Sequence, residues 1–454
     1  MKRTTAEWQR LDRDHYLHPF TDHRQLHERG SRIITHAEGI YIYDSEGNRI
    51  LDGMSGLWCV NIGYGRRELA EAAKAQMERL PYYNSFFQSA QPTAVELAGM
   101  LATLAPERLN RVFYTSSGSE ANDTVVRMVR YYWELLGQPE RSIIISRQNA
   151  SHGSTMAGAS LGGMDFMHAQ GGLPIPGIEH IRQPYWFGEG REMDPGAFGL
   201  LAAKALEEKI QELGEHQVAA FIAEPIQGAG GVIIPPDSYW PEIKRICKQY
   251  GILLVVDEVI CGFGRTGNWF GSETYDLEPD LMPIAKGLSS GYLPIGGVMI
   301  SDRVARVLEE EGGEFAHGYT YSGHPVSCAV ALKNLRLLQR EKIVEKVHSE
   351  TAPYLKQRWA ELADHPLVGE ARSLGLLAAL ELMKEKKTGE RFDPEGVAGG
   401  LCRDICYDNG LVMRAVRDTM IVAPPLVITK AQIDELMEKV LRSLEMTQAA
   451  LIRA

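Results

Sequence analysis

Apolar residues fall into two kinds of pattern along this chain. Short runs rich in Ile, Val, Leu and Phe recur between residues 61 and 325: Arg111 to Tyr114, Ser142 to Ser146, Val218 to Ala223, Ile252 to Val256, Leu281 to Ala285 and Gly297 to Ile300. Between them lie longer stretches with apolar positions three and four apart, such as the stripe through Val125, Met128, Val129 and Tyr132. A nearly continuous apolar run suits a strand covered on both faces, and the wider period suits the helix that covers it. Their alternation predicts an α/β fold in which a mostly parallel sheet carries helices on both sides. Ligands of such sheets collect beyond the carboxyl ends of the strands.

The flanks read differently. Near the N-terminus, Ile40 to Tyr43, a Gly47-Asn48 turn and Arg49 to Leu51 predict a hairpin. After residue 325 come a long helix (Val326 to Arg340), a charged helix around Glu345 to Ala363, two strand-like runs (Gly375 to Leu382 and Leu411 to Val422) and a last helix from Ala431. Three units are expected: an N-terminal segment 1–60 that packs with the last unit, a large domain 61–325 and a smaller α/β domain 326–454.

Composition narrows the class. A chain of 454 residues with 44% hydrophobic content can bury a large core, and a formal net charge of −11 with no basic stripe argues against a nucleic-acid partner. The N-terminus has no apolar signal-like region, and no run of eighteen apolar residues offers a membrane span. The six cysteines (Cys59, Cys247, Cys261, Cys328, Cys402 and Cys406) are scattered without paired metal spacing, and Cys402 with Cys406 reads as two core thiols on one helix face. A cytoplasmic, reduced protein without a metal site is the expectation.

Two strand ends carry chemistry. Ile252 to Val256 runs into Asp257, and Leu281 to Ala285 runs into Lys286. Taken singly, Lys286 reads as a lysine snorkelling from a core strand and Asp257 as a cap on the next turn. Taken together, they are the two protein groups that pyridoxal phosphate requires, an amine for covalent attachment and an acid for the pyridinium nitrogen. A third strand, Arg111 to Tyr114, leads into Ser117-Gly118-Ser119-Glu120, where Ser117 and Glu120 form a capping-box pattern. The open N–H groups of that helix start, with the Ser117 and Ser119 hydroxyls, make an anion cradle. No Gly-x-x-x-x-Gly-Lys-[Ser/Thr] loop for a triphosphate is present.

Gly262-Phe263-Gly264-Arg265-Thr266-Gly267 formally matches the Gly-x-Gly-x-x-Gly pattern of dinucleotide sites and offers a competing nicotinamide oxidoreductase. That pattern needs a helix to open directly after it. Asn268 to Tyr275 has no helical period and carries another glycine.

With these residues in order along nearly the whole chain, the sequence resembles the class III (omega) aminotransferases, fold-type-I pyridoxal phosphate enzymes, and most of all their amine:pyruvate and polyamine:pyruvate group. The resemblance is carried by Gly56-Leu57-Trp58-Cys59-Val60-Asn61, Ser117-Gly118-Ser119-Glu120, Glu224-Pro225-Ile226-Gln227-Gly228-Ala229-Gly230-Gly231, the run from Asp257 to Gly267, Ala285-Lys286-Gly287 and Thr320-Tyr321-Ser322-Gly323-His324-Pro325. It implies a mostly parallel seven-stranded-type sheet sandwiched by helices, plus a smaller domain built from both chain ends. It implies pyridoxal 5′-phosphate as cofactor, Lys286 as its covalent anchor and proton carrier, and Asp257 as partner of the ring nitrogen. It places phosphate contacts at Gly118 and Ser119, next to the Ser117 of the cradle, and at Thr320 from a second subunit, hence a homodimer with shared active sites, or a homotetramer of such dimers. Glu224 and His152 join the cofactor pocket. Val259, two residues beyond Asp257 and so on the same strand face, is expected against one side of the ring. Apolar neighbours such as Ile284 and Leu288 should favour the neutral form of Lys286.

Two further expectations concern substrates. Arg414, among apolar strand residues, suits bidentate binding of an acceptor carboxylate such as that of pyruvate, while Trp58, Phe86, Phe87 and Ala229 form an apolar wall for the amine donor. The reaction implied is transamination to pyruvate from a primary amine, a class that includes diamines and polyamines such as putrescine; decarboxylases and an aminomutase share the scaffold. The chain departs from its relatives at one place. They read Asn-Ala-Tyr-His-Gly-Ser-Thr where this chain has Asn149-Ala150-Ser151-His152-Gly153-Ser154-Thr155. Without the stacked tyrosine, cofactor retention is expected to weaken by about 0.5–1.5 kcal/mol and the pocket to widen at Ser151.

Overall fold

The structure, a computed structural model, describes residues 3–453. Its strands in chain order are β1 (Ile34–Glu38), β2 (Tyr41–Asp44), β3 (Arg49–Asp52), β4 (Leu109–Thr115), β5 (Ile143–Arg147), β6 (Ile178–Ile181), β7 (Val218–Ala223), β8 (Leu253–Val256), β9 (Leu281–Ile284), β10 (Gly296–Ser301), β11 (Val368–Leu374), β12 (Leu377–Leu382), β13 (Leu411–Val412), β14 (Arg414–Val416) and β15 (Thr419–Val422). Seven of them form the central sheet in the order β4-β10-β9-β8-β7-β5-β6. Its pairs are parallel except where β10 runs against β4 and β9. Every residue of β7, β8 and β9 is buried, because helices cover both faces.

The helix Gly118–Leu135 shows how the pattern becomes packing. Val125, Met128, Val129 and Tyr132 are each 3% exposed or less and lie against Val255, Leu281 and Val298 of the sheet. Each such side chain contributes about 1.5–3 kcal/mol over an exposed one. Ser117 caps the helix by accepting from Glu120 N at 3.2 Å. The expected reciprocal bond is shifted by one residue, since the Glu120 carboxylate accepts from Ser116 N at 2.7 Å and not from the cap's own N–H.

Two smaller sheets lie outside this core, with orders β1-β2-β3-β13 and β11-β12-β15-β14. The expected hairpin is present as β2 and β3. The single strand-like run from Leu411 to Val422 is three strands: β13 joins β3 in parallel, while β14 and β15 turn about Arg417 at a φ of 53°. The charged helix expected from Glu345 to Ala363 is broken into Ile343–Lys346, a wide turn Val347–Thr351, Ala352–Ala360 and Glu361–Asp364. Pro353, which has no N–H for the ladder, directly follows the wide turn and Ala352. Strands β1, β6 and β11 went unread because half-exposed or short strands lack a clean apolar run. Among the described residues no helix is long and apolar enough to cross a membrane.

Candidate active site

Five strands of the central sheet deliver the site at one edge. β8 ends at Val256 and is followed by Asp257; β9 ends at Ile284 and is followed two residues on by Lys286; β4, β5 and β7 lead into Ser117, Ser151-His152 and Glu224. Parallel pairing of β5, β7, β8 and β9 puts their ends together, and β4, which runs against β10 just as β9 does, ends on the same side, as expected for an open α/β sheet.

Asp257 is 2% exposed and fixed on three sides. Its Oδ2 accepts from Asn122 Nδ2 at 2.8 Å and from His152 Nδ1 at 2.7 Å, and its Oδ1 accepts from Val259 N at 3.0 Å. A carboxylate offers about four acceptor positions, so one on Oδ1 remains for a further donor. Asn122 also donates to the His152 carbonyl at 2.9 Å, locking both partners. Sequence reading missed Asn122. Its signal was a polar residue in helical register with Val125 and Val129 on the buried stripe, a place where an amide needs a partner.

Lys286 follows β9 with a φ of 44°, a left-handed conformation that costs a side-chain-bearing residue about 1–3 kcal/mol. Its amine makes no hydrogen bond or ion pair among the described residues. Burial pulls its pKa below the ordinary lysine value; Asp257, Cys59 and Glu224 oppose that fall, and the Arg414 guanidinium deepens it. Ile284 and Leu288 are both fully buried beside it, as the sequence led us to expect. Glu224, 2% exposed, accepts from Ser151 N at 3.0 Å and Gly228 N at 2.9 Å, and burial raises its pKa.

The anion cradle is formed by the start of the helix at Gly118. Ser117 Oγ and Ser117 O accept from Glu120 N and Ala121 N, which leaves the Gly118 and Ser119 N–H groups open. A Cβ on Gly118 would stand 3.0 Å from the Val259 side chain, so a larger residue there would require Val259 to shift by a few tenths of an ångström. Ser119 Oγ accepts from Ser154 N at 3.0 Å. Val259, expected on the Asp257 strand face and against the ring, lies off the strand and next to the cradle glycine: the strand ends at Val256, and the turn after Asp257 carries Val259 to Gly118. The residues present therefore fit pyridoxal phosphate at each of its three polar points. Lys286 would hold the aldehyde carbon, Asp257 the ring nitrogen, and Gly118 with Ser119 the phosphate. Thr320 is exposed on the loop ahead of Pro325; its carbonyl accepts from Tyr82 Oη at 2.8 Å. Ser151 is half-buried on the loop after β5. Ser151→Tyr is expected to tighten cofactor binding about two- to tenfold, read by titrating the apoprotein and following absorbance. An unchanged affinity would discount the missing ring.

The expected apolar wall does not assemble within one chain. Trp58 is 2% exposed and packs with Met54, Ile226 and Ile260, and Ala229 is buried on the turn after Glu224. Phe86 and Phe87 instead face outward, Phe87 at 90% exposure, because Asn84 Oδ1 accepts from Phe86 N and Phe87 turns at a φ of 56°. Arg414 is half-buried in β14 with no ion pair or hydrogen bond among the described residues, and lines a cavity of about 270 Å³ with Met54, Gly56 and Leu57. A larger groove of about 670 Å³ lies elsewhere, between the N-terminal helix and Tyr407.

The glycine-rich segment serves the fold. No long helix opens after Gly267, and the next helix is the four-residue Gly271–Thr274. The segment wraps around Arg265, which is fully buried and donates to Ser55 Oγ at 3.2 Å, Asn61 Oδ1 at 2.9 Å and the Pro424 carbonyl. Backbone turns around an arginine leave no place for a dinucleotide pyrophosphate there.

Comparison with known proteins agrees with this geometry. The family model for aminotransferase class-III matches residues 24–444. Putrescine–pyruvate aminotransferase of Pseudomonas aeruginosa is 64% identical over 448 residues, covering 99% of this chain and 98% of that protein. Among solved structures, an (S)-enantioselective omega-transaminase of Thermomicrobium roseum superposes with a TM-score of 0.95 at 44% identity, covering 98% of this chain and 100% of that one. The omega transaminase of Pseudomonas jessenii, solved in complex with PMP, gives 0.95 at 39% identity, covering 97% and 98%. The chain belongs to the class-III aminotransferases.

Proposed function

We propose that the protein transfers an amino group from a primary amine, with a short diamine such as putrescine as the foremost candidate, to pyruvate, giving an aldehyde and alanine. The observation that carries this reading is a buried, unpaired lysine amine that feels the charges of a clamped aspartate and of an arginine that has no carboxylate of its own. The 64% identity to a relative named for putrescine and pyruvate supports the choice of substrates.

Pyridoxal 5′-phosphate, the cofactor of this family, supplies an electron sink that makes a proton on the carbon beside nitrogen removable. The chain's own residues do the rest. Asp257, its charge held by Asn122 and His152, keeps a proton on the ring nitrogen by offering it a fixed anion. Lys286 Nζ, whose neutral form desolvation favours, takes the proton from the donor carbon that bears nitrogen. In the return half it delivers a proton to the carbonyl carbon of pyruvate. Arg414 orients the pyruvate carboxylate through two parallel N–H donors, while Trp58 and Ala229 exclude water around the carbon chain. A donor without a carboxylate needs nothing from Arg414.

A homodimer with shared sites, whether or not it pairs into tetramers, belongs to the same reading. Tyr82, Tyr83, Phe86, Phe87 and Tyr321 leave large apolar rings exposed around Thr320, a patch suited to burial against a second copy. There Phe86 and Phe87 would complete the donor wall of the partner's site. We also assign the chain to the cytoplasm, in keeping with its six free cysteines, and divide it near residue 325.

Incubating the holoenzyme with a panel of mono- and diamines plus pyruvate, and measuring alanine, tests the proposal. Alanine formed in proportion to amine consumed is the expected result. Carbon dioxide release in place of alanine, or no turnover with any amine, would overturn it.

A further inference from the structure

The sheet β11-β12-β15-β14 carries an arginine at each end of one row. Arg372 pairs with Ala379, Ala379 with Ile421 and Ile421 with Arg414, each directly across its antiparallel partner. Directly opposed residues point to the same face, so the four side chains share it, and three strand spacings set the two arginine backbones about 14 Å apart. Ala379 and Ile421 are fully buried against the cluster that contains Met54, Trp58, Ile226 and Val232. The face that carries both arginines is thus the one applied to the active-site edge.

The two ends are treated very differently. Arg414 is untethered. Arg372 Nε donates to the Val232 carbonyl at 2.7 Å and Arg372 Nη2 to the Gly231 carbonyl at 2.5 Å, so the side chain crosses from the smaller sheet to the turn that follows Glu224. That turn holds Ala229, and its Gly228 N–H is the one Glu224 accepts at 2.9 Å. Glu370 and Glu381 accept from the same guanidinium, and Glu381, itself fully buried, also accepts from Tyr185 Oη. A buried arginine with two carboxylates and two carbonyls is fixed in direction as well as position.

We infer that Arg372 is a positioning residue for the acceptor half of the reaction: it pins the sheet row to the Gly228–Val232 turn and thereby fixes where Arg414 stands relative to Lys286. The inference rests on the amine–pyruvate reading given above. Close-packed Ala379 and Ile421 leave no slack between the two ends, so a sheet released at Arg372 tilts, and the untethered guanidinium at the far end moves most. Pyruvate depends on that guanidinium, whereas an amine donor or an acceptor without a carboxylate does not.

The test uses holoenzyme carrying Arg372→Lys, which keeps the charge but loses the planar fork, and the double variant Arg372→Met with Glu381→Gln, which avoids stranding the fully buried Glu381 carboxylate. Three reactions are measured: the donor half with amine alone, and the acceptor half with pyruvate and with a simple aliphatic aldehyde. The double variant is expected to raise the pyruvate KM about five- to tenfold and the lysine variant about two- to threefold, with kcat within about twofold. The donor half and the aldehyde KM stay within about twofold of the parent. A pyruvate KM unchanged in both variants overturns the inference, as does an equal loss across all three reactions, which would mark Arg372 as a fold element only. If the double variant does not fold, the lysine variant decides by the same criteria. A parent enzyme that makes no alanine from pyruvate overturns the underlying reading, and the inference with it, before any variant is compared.

Discussion

Lys286→Ala is expected to lower turnover by at least about 10³-fold while leaving the fold intact. A positioned proton carrier alone contributes about 10²–10⁴-fold, and the variant also loses the nucleophilic amine that anchors the cofactor. The Asp257 and Glu224 charges both act on the Lys286 side chain. Borohydride treatment of the parent holoenzyme, followed by digestion and mass analysis, should place a pyridoxyl tag on Lys286, and the variant should carry none. Residual activity within tenfold of the parent would remove this residue from the chemistry. The pH behaviour follows from burial. Proton removal requires the neutral amine, so the acid limb of the donor half should lie below the value near 10.4 of a free lysine. In the apoprotein the native state binds fewer protons than the unfolded chain between the depressed value and the free one. Stability from this site is therefore lost as pH falls through that interval and gained as pH rises through it.

Asp257→Asn should cost about 10²–10³-fold in kcat with little change in secondary structure. Removing one partner from a buried charge arrangement costs about 3–5 kcal/mol, and here the partners are specific. Asn122 Nδ2, His152 Nδ1 and Val259 N all point donors at this side chain. An asparagine has a single carbonyl oxygen to meet them, and its amide must face either one of these donors or the cofactor nitrogen. Whichever way it turns, the fixed anion behind the ring is gone. The measurement is single-turnover donor kinetics with circular dichroism as the control for folding. A loss smaller than tenfold would show that Asp257 is not what keeps the ring nitrogen protonated.

How far the site could be read in advance varied with the kind of signal. Asp257, Lys286 and the Ser117–Ser119 cradle each follow an apolar run, and strands buried on both faces announce their ends clearly; the structure brings all three to one sheet edge. Asn122 and Arg372 announced nothing of the kind. Asn122 was one polar letter in a helical stripe, and Arg372 sits in a half-exposed strand whose neighbours alternate too weakly to be read. Their partners lie far off in sequence, so only the assembled chain reveals the contacts. Phe86 and Phe87 were read as wall residues because aromatics suit a pocket. Turn geometry at Asn84 and Phe87 outweighed that preference within the single chain. Arg265 shows the opposite lesson: a motif that spells a phosphate loop was made by an arginine seeking carbonyls.

That same Arg265 joins residues from the beginning, middle and end of the polypeptide, as does the parallel pairing of Leu411 with Leu51. Closing such distant loops is slow and comes late in folding. A chain that has already made Asp257 and Lys286 still lacks Pro424, so the Arg265 junction closes only once the last strands have been made. Truncating the last forty or so residues, roughly from Arg414 onward, should yield a colourless product rather than a weak enzyme.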